Sequence, residues 1–168
     1  MSPRSPELRF VTSQPDYITP EGFQLLIAEQ ERLLRVERPK VVEDVSTAAA
    51  HGDRSDNADY RYGKRKLRQI DSRLQFLNDR LSRVQVVDPA QQKGPQVRFG
   101  AMVTVEGEEG ERRTYRIVGI DEVDAKAGRI SYRSPLGEAL LQKKAGDAVV
   151  VHRPAGDLEL TVVAVKYP

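Results

Sequence analysis

Leu67-Arg68-Gln69-Ile70-Asp71-Ser72-Arg73-Leu74-Gln75-Phe76-Leu77-Asn78-Asp79-Arg80-Leu81-Ser82-Arg83-Val84 decides the architecture of this chain. Its residues Leu67, Ile70, Leu74, Leu77, Leu81 and Val84 recur at spacings of 3, 4, 3, 4 and 3. That places them on one narrow seam of an α-helix, of coiled-coil type. Most residues between them are charged or polar. Such a seam must be buried against another helix, and the preceding segment supplies one.

Working back, Ser55 is a suitable N-cap, with Asp56 and Asp59 in the first turn where the helix dipole favours anions. From Ser55 to Val84 the helix would run roughly 45 Å. The partner helix starts at Thr19-Pro20-Glu21: a capping threonine, a proline at the first helical position and an acid near the dipole. Phe23, Leu26, Leu33, Leu34, Val41, Val42 and Val45 follow. Pro39 predicts a kink or break between Glu37 and Lys40. The pattern resumes to Ala50 and stops at His51-Gly52. The expected N-terminal fold is therefore an all-α antiparallel coiled-coil hairpin over residues 17–86, its acidic tip at 52–60. Residues 1–16, with three prolines, read as a loosely ordered tail.

Working forward, the proline- and glycine-containing stretch 87–96 reads as a linker. Beyond it the apolar period changes to two. Strands are expected at Val97–Phe99, Met102–Glu106, Thr114–Ile120, Arg129–Tyr132, Ala148–Val151 and Leu158–Tyr167, with one short helix from Leu136 to Leu141. Residues 97–168 are thus a small, mostly antiparallel α+β domain.

Composition sets limits. The net charge of +2 means that any nucleic-acid surface must be local. There is no cysteine, hence no disulfide and no thiolate metal site. No secretory signal and no run long enough to span a bilayer is evident, so a cytoplasmic location without membrane contact is expected. His51 and His152 fall in different domains and form no ligand pair.

Chemistry is concentrated at Gly52-Asp53-Arg54-Ser55-Asp56-Asn57-Ala58-Asp59-Tyr60. Carboxylates at Asp53, Asp56 and Asp59 are compatible with two roles: complementing the cap and dipole of a helix start, or offering oxygen ligands to a hard divalent cation. Behind them nine basic residues against four acids lie between residues 54 and 83. Arg61, Lys64, Arg65, Lys66 and Arg68 are the densest group, either a phosphate-contacting patch or a solvated helix face. Tyr60 and Tyr62 flank it, packing at the tip or stacking on a base. No serine–histidine–acid or glycine-rich phosphate-loop arrangement is present, which argues against an autonomous enzyme.

The 52–60 stretch closely resembles the tip signature of the Gre family of bacterial transcript-cleavage factors. Tyr62 and Lys64-Arg65-Lys66-Leu67-Arg68 are most similar to its B-type members. The resemblance extends through Thr19-Pro20-Glu21-Gly22, Glu37-Arg38-Pro39, Ser134-Pro135-Leu136, Ala139-Leu140-Leu141, Gly146-Asp147 and Pro154-Ala155-Gly156. It implies a C-terminal domain of FKBP-like fold that docks on the rim of the secondary channel of bacterial RNA polymerase, through Ser134 and Pro135. It implies a coiled coil that enters the channel, where Asp53 and Asp56 help hold an Mg²⁺ shared with the polymerase active site; no cofactor is bound by the factor alone. The polymerase then cleaves backtracked nascent RNA. Ser55, Asn57, Asp59 and Tyr60 would support the tip, and the Arg61–Arg68 cluster would contact the extruded RNA 3′ end. The factor is expected to be a monomer that assists catalysis without being an enzyme. Two residues depart from the pattern: Asp56 stands where glutamate is usual, and Arg133 where a B-type member can carry aspartate. The shorter Asp56 leaves a second reading, a channel-binding regulator that does not promote cleavage. A third, from the basic face alone, is a free-standing RNA- or DNA-binding hairpin.

Overall fold

The computed structural model describes residues 15–52 and 57–168. Thr19 caps the first helix as its sequence suggests, its hydroxyl accepting the Gly22 N–H at 3.1 Å. Helix α1 runs Pro20–Arg32 and α2 runs Arg38–Ala50. Between them Leu33–Glu37 is one wide π-helical turn, in which Arg38 N–H reaches back to the Leu33 carbonyl. The helix does not break, and the disturbance expected near Pro39 takes the form of this widened turn. Pro39 has no N–H to offer, and its ring presses on the preceding turn. Opening that turn relieves the pressure and lets the helix continue.

Helix α3, Ala58–Arg83, returns antiparallel to these two. Cross-links occur along its length: Gln30 with Asn78, Glu29 with Arg73 at 2.7 Å, Arg38 with Asp71 at 2.7 Å, and Asn57 with Ala48 at 2.7 Å. The seam is buried as its spacing requires. Ile70 and Leu77 pack with Leu26, Leu33 and Val41, and Leu67, Leu74, Leu81 and Val84 lie at the margins. The helix begins at Ala58, not after Ser55. Asn57 is the N-cap, its side-chain oxygen accepting the Tyr60 N–H at 3.1 Å; Ser55 itself lies outside the described residues. The 26 residues of α3 span about 39 Å.

Two three-residue strands add a feature that the sequence reading missed. Strand β1, Asp16–Ile18, pairs in parallel with β2, Val84–Val86, directly after α3. Asp16 therefore belongs to this ladder rather than to the tail. Such strands are too short to show a period, and their pairing partner is a distant segment.

The C-terminal half is a five-stranded mixed sheet in the order β5-β4-β3-β7-β6. Its strands are β3 Met102–Glu106, β4 Arg112–Val118, β5 Arg129–Ser131, β6 Ala148–Val151 and β7 Leu158–Lys166. Only β4 and β5 pair in parallel; the other neighbours are antiparallel. Helix α4, Pro135–Leu140, is capped by Ser134, which accepts the Gly137 N–H at 3.0 Å. Val97, Val103, Ile117, Leu140, Val151 and Val162 form the centre of the core.

The expected strand Val97–Phe99 is absent. Its backbone instead meets the turn after α4: Val97 N–H donates to the Lys143 carbonyl at 2.7 Å, and Gln142 N–H donates to the Val97 carbonyl at 2.8 Å. The alternation at Val97 and Phe99 reports burial alone. Asp88-Pro89-Ala90-Gln91, within the expected linker, is ordered as a capped 3₁₀ turn.

Glu122 joins the two halves. Its carboxylate accepts the N–H of Thr19 at 3.1 Å and of Gly119 at 2.8 Å, and the Thr19 hydroxyl. A Cβ on Gly22 would collide with this carboxylate, so glycine makes room for it.

Candidate functional site

The helical tip is assembled by the ends of α2 and α3. Gly52 has φ +134°, a conformation that favours glycine, and follows the last turn of α2. Across from it Asn57 makes two contacts with one side chain. Its oxygen caps α3, and its NH₂ donates to the Ala48 carbonyl of α2 at 2.7 Å. Only one orientation of the amide satisfies both contacts. The sequence reading named Ser55 as the cap; asparagine is equally favourable in that role, and Asn57 is the residue that fills it. The cross-helix bond left no sequence signal.

Asp53, Arg54, Ser55 and Asp56 lie outside the described residues. Of the expected tip acids Asp59 is described, exposed in the first turn of α3. Tyr60 is half-buried, and Lys64 lies 5.9 Å from its ring centroid. Tyr62 is exposed beside a groove of about 690 Å³ between α2 and α3, which Asp59, Tyr62 and Lys66 line from one side and Lys40, Asp44 and His51 from the other.

The structure divides the basic cluster. Arg61, Lys64, Arg65 and Arg68 are spaced 3, 1 and 3 apart, which puts them on one stripe facing away from the seam. All four are exposed and form no ion pair among the described residues. Lys66 lies instead on the groove side. Further along, Arg73 and Arg80 are committed to structure. Arg73 binds Glu29 through two bonds of 2.7 and 3.0 Å, and this hydrogen bonding holds the Glu29 carboxyl below its ordinary range. Arg80 binds Asp16 and Asp121. The free positive charge of α3 is thus concentrated in the two turns behind the tip.

The helices approach closely at that level. A Cβ on Gly63 would stand 2.7 Å from Val45 Cγ2. Gly63→Val is therefore expected to lower stability by about 1–3 kcal/mol and to spread the tip ends of α2 and α3. Urea denaturation would read the first effect, and loss of hydrogen-exchange protection around Tyr60 the second. Wild-type values for both would refute the close-packing argument.

Ser134 and Pro135 lie at the start of α4, Ser134 half-buried and Pro135 exposed. They are far along the chain from the tip and form a separate site. Arg133, which precedes them, pairs with Asp16 at 2.8 Å and stacks near Tyr132. Among the described residues no group of three or more His, Asp or Glu side chains could hold a metal ion. In sequence the stretch 52–60 carries three carboxylates, Asp53, Asp56 and Asp59, oxygen donors of the kind a hard cation such as Mg²⁺ takes; of these only Asp59 is among the described residues.

A helical segment with a stripe of exposed cations and a small five-stranded mixed sheet are the two parts of the described chain. Two family models divide the chain: Transcription elongation factor, N-terminal, over residues 16–86, and Transcription elongation factor, GreA/GreB, C-term, over residues 91–167. The chain belongs to the GreA/GreB family of transcription elongation factors. It is 45% identical over 157 residues to transcription elongation factor GreB of Neisseria meningitidis serogroup B, covering 93% of this chain and 96% of that one. Against transcription elongation factor GreB of Pseudomonas aeruginosa the identity is 48% over 157 residues, 94% of each chain. Against that of Xanthomonas axonopodis pv. citri it is 49% over 151 residues, 89% of this chain and 90% of the other. The crystal structure of GreA factor homolog 1 of Thermus thermophilus aligns with a TM-score of 0.42 at 26% identity, covering 91% of this chain and 99% of that one. No helix among the described residues is long and apolar enough to cross a membrane.

Proposed function

We propose that this chain is an accessory factor that binds bacterial RNA polymerase through its secondary channel and stimulates cleavage of backtracked nascent RNA by the polymerase. The observation that carries the reading is the exposed stripe Arg61, Lys64, Arg65 and Arg68, which forms no ion pair among the described residues and follows the acidic stretch in sequence. Positive charge there attracts an RNA backbone to the place where the tip carboxylates stand. The stalk provides reach, since its about 39 Å of α3 extends beyond what a globular surface could project. Asn57 ties the ends of α2 and α3 together. Ser134 and Pro135, on an FKBP-like C-terminal domain, dock at the channel rim.

Asp53 and Asp56 would hold an Mg²⁺ shared with the polymerase active site. The ion would supply Lewis-acid stabilisation of the attacking and leaving oxygens in a two-metal site. Asp59 adds negative field beside them.

The test is RNA cleavage in a purified backtracked elongation complex with Mg²⁺, comparing wild type, Asp53→Asn and Asp56→Glu. Wild type should stimulate cleavage, and Asp53→Asn should reduce it by about tenfold or more, the scale on which groups supporting a metal act. Undiminished activity of Asp53→Asn would end the proposal. One observation favours a second reading: Asp56 is one methylene shorter than the glutamate usual in the resemblance. A factor that binds polymerase without stimulating cleavage, unrescued by Asp56→Glu, would be a channel-occupying regulator.

A further inference from the structure

Arg133 stands between the turn that precedes α4 and the base of the stalk. Its guanidinium lies 2.8 Å from Asp16 Oδ1 and 5.4 Å from the centroid of the Tyr132 ring. Asp16 Oδ2 in turn accepts from Arg80 Nη1 at 2.7 Å, and Arg80 donates to Asp121 at 2.6 and 3.0 Å. Arg133, Asp16, Arg80 and Asp121 therefore form one line of alternating charge, leading from the turn at Ser134 to α3. Beside it Tyr17 N–H donates to the Tyr132 hydroxyl at 3.2 Å. Two successive residues of β1 thus hold two successive residues of the turn.

Asp16 is largely buried, and its Oδ1 receives no aligned hydrogen bond. Arg133 is the cation facing that oxygen, so the pairing is electrostatic. Arg133 is 44% exposed but Asp16 only 19%, so solvent screens the pair only in part, and without Arg133 this buried oxygen would lose the cation that faces it.

We propose that Arg133 is a positioning residue, which holds the Ser134–Pro135 turn in a fixed place relative to the axis of α3. The proposal rests on reading that turn as the docking point. The turn and the tip then behave as one body, and docking at one end determines where the carboxylates arrive at the other. Asp16 is the relay, because it touches both the turn and the helix. Removing Arg133 leaves Asp16 paired with Arg80, so the fold should survive.

The chain has no cysteine, so Gln69→Cys on α3 and Glu138→Cys on α4, both exposed, would accept spin labels selectively. In the free protein the label-to-label distance distribution should be narrow with Arg133, broad in Arg133→Met and narrow again in Arg133→Lys. On backtracked complexes Arg133→Met should reduce the maximal cleavage rate by roughly tenfold, as misplacement of reacting groups does, with a smaller change in the half-saturating concentration. Arg133→Lys should restore it. An unchanged distance distribution in Arg133→Met overturns the proposal, as does a broadened one with the maximal rate intact. A weaker half-saturating concentration alone would mean that Arg133 touches the polymerase directly, which also overturns it. The distances are measured without polymerase, so they judge the positioning role even if the wild-type factor stimulates no cleavage.

Discussion

Arg80→Ala is expected to lower the free energy of unfolding by about 3–5 kcal/mol, the range for removing one partner from a buried ion pair. Arg80 is 15% exposed, and its two carboxylate partners, Asp16 and Asp121, are 19% and 14% exposed. Its guanidinium uses three nitrogens, Nη1 toward Asp16 and Nε with Nη2 toward Asp121. Without it two largely desolvated anions lose their shared cation; Asp16 keeps its pairing with Arg133, and Asp121 keeps only the more distant attraction of Arg73 among the described residues. Arg80→Lys should recover part of the loss, because one ammonium cannot reproduce the planar fork. The urea midpoint of the three proteins, followed by circular dichroism, reads the effect. A midpoint for Arg80→Ala equal to wild type would show that solvent already satisfies the network.

Leu77→Ala should cost about 2–5 kcal/mol. Leu77 is fully buried in the seam, in the cluster with Ile18, Leu26, Leu33, Val41 and Ile70. Truncation removes apolar contacts and leaves a void that helices crosslinked on both flanks cannot close easily. Leu77→Met, which keeps the volume, should cost less than about 1.5 kcal/mol. Because Leu77 lies several turns from the tip, the alanine variant should keep its cleavage stimulation at low temperature while melting earlier. Equal melting temperatures for the alanine variant and wild type would place Leu77 outside the core.

Much of the fold could be read locally. The seam Leu67 to Val84 required a helix and a helical partner, and Thr19-Pro20 and Ser134-Pro135 carried the physics of their own caps. Met102–Glu106 and Ala148–Val151 alternate as half-buried strands do. Where local rules failed, a competing interaction was stronger. Pro39 should have broken a helix, but a widened turn absorbed it. Val97 and Phe99 alternate like a strand, yet Val97 spends both its backbone hydrogen bonds on the turn after α4. The cap was expected at Ser55, but Asn57 fills it, with an amide that also reaches α2.

The candidate site divides in the same way. Sequence alone pointed to the acidic stretch 52–60 and to the basic run behind it, and left two roles open for each. It could not show that, among the described residues, Arg61, Lys64, Arg65 and Arg68 form no ion pair while Arg73 and Arg80 are neutralised by Glu29, Asp16 and Asp121. A charged residue looks alike in sequence whether its partner is solvent or a buried carboxylate. Arg80 and Asp16 are 64 positions apart, and Thr19 and Glu122 are 103 apart. Contacts over such separations leave no period and no motif. The sequence by itself determined a pair of packed helical segments and a small sheet domain. Only the tertiary structure decided which charges are spent in joining the two halves and which remain for a partner, because burial and ion pairing are properties of the assembled chain.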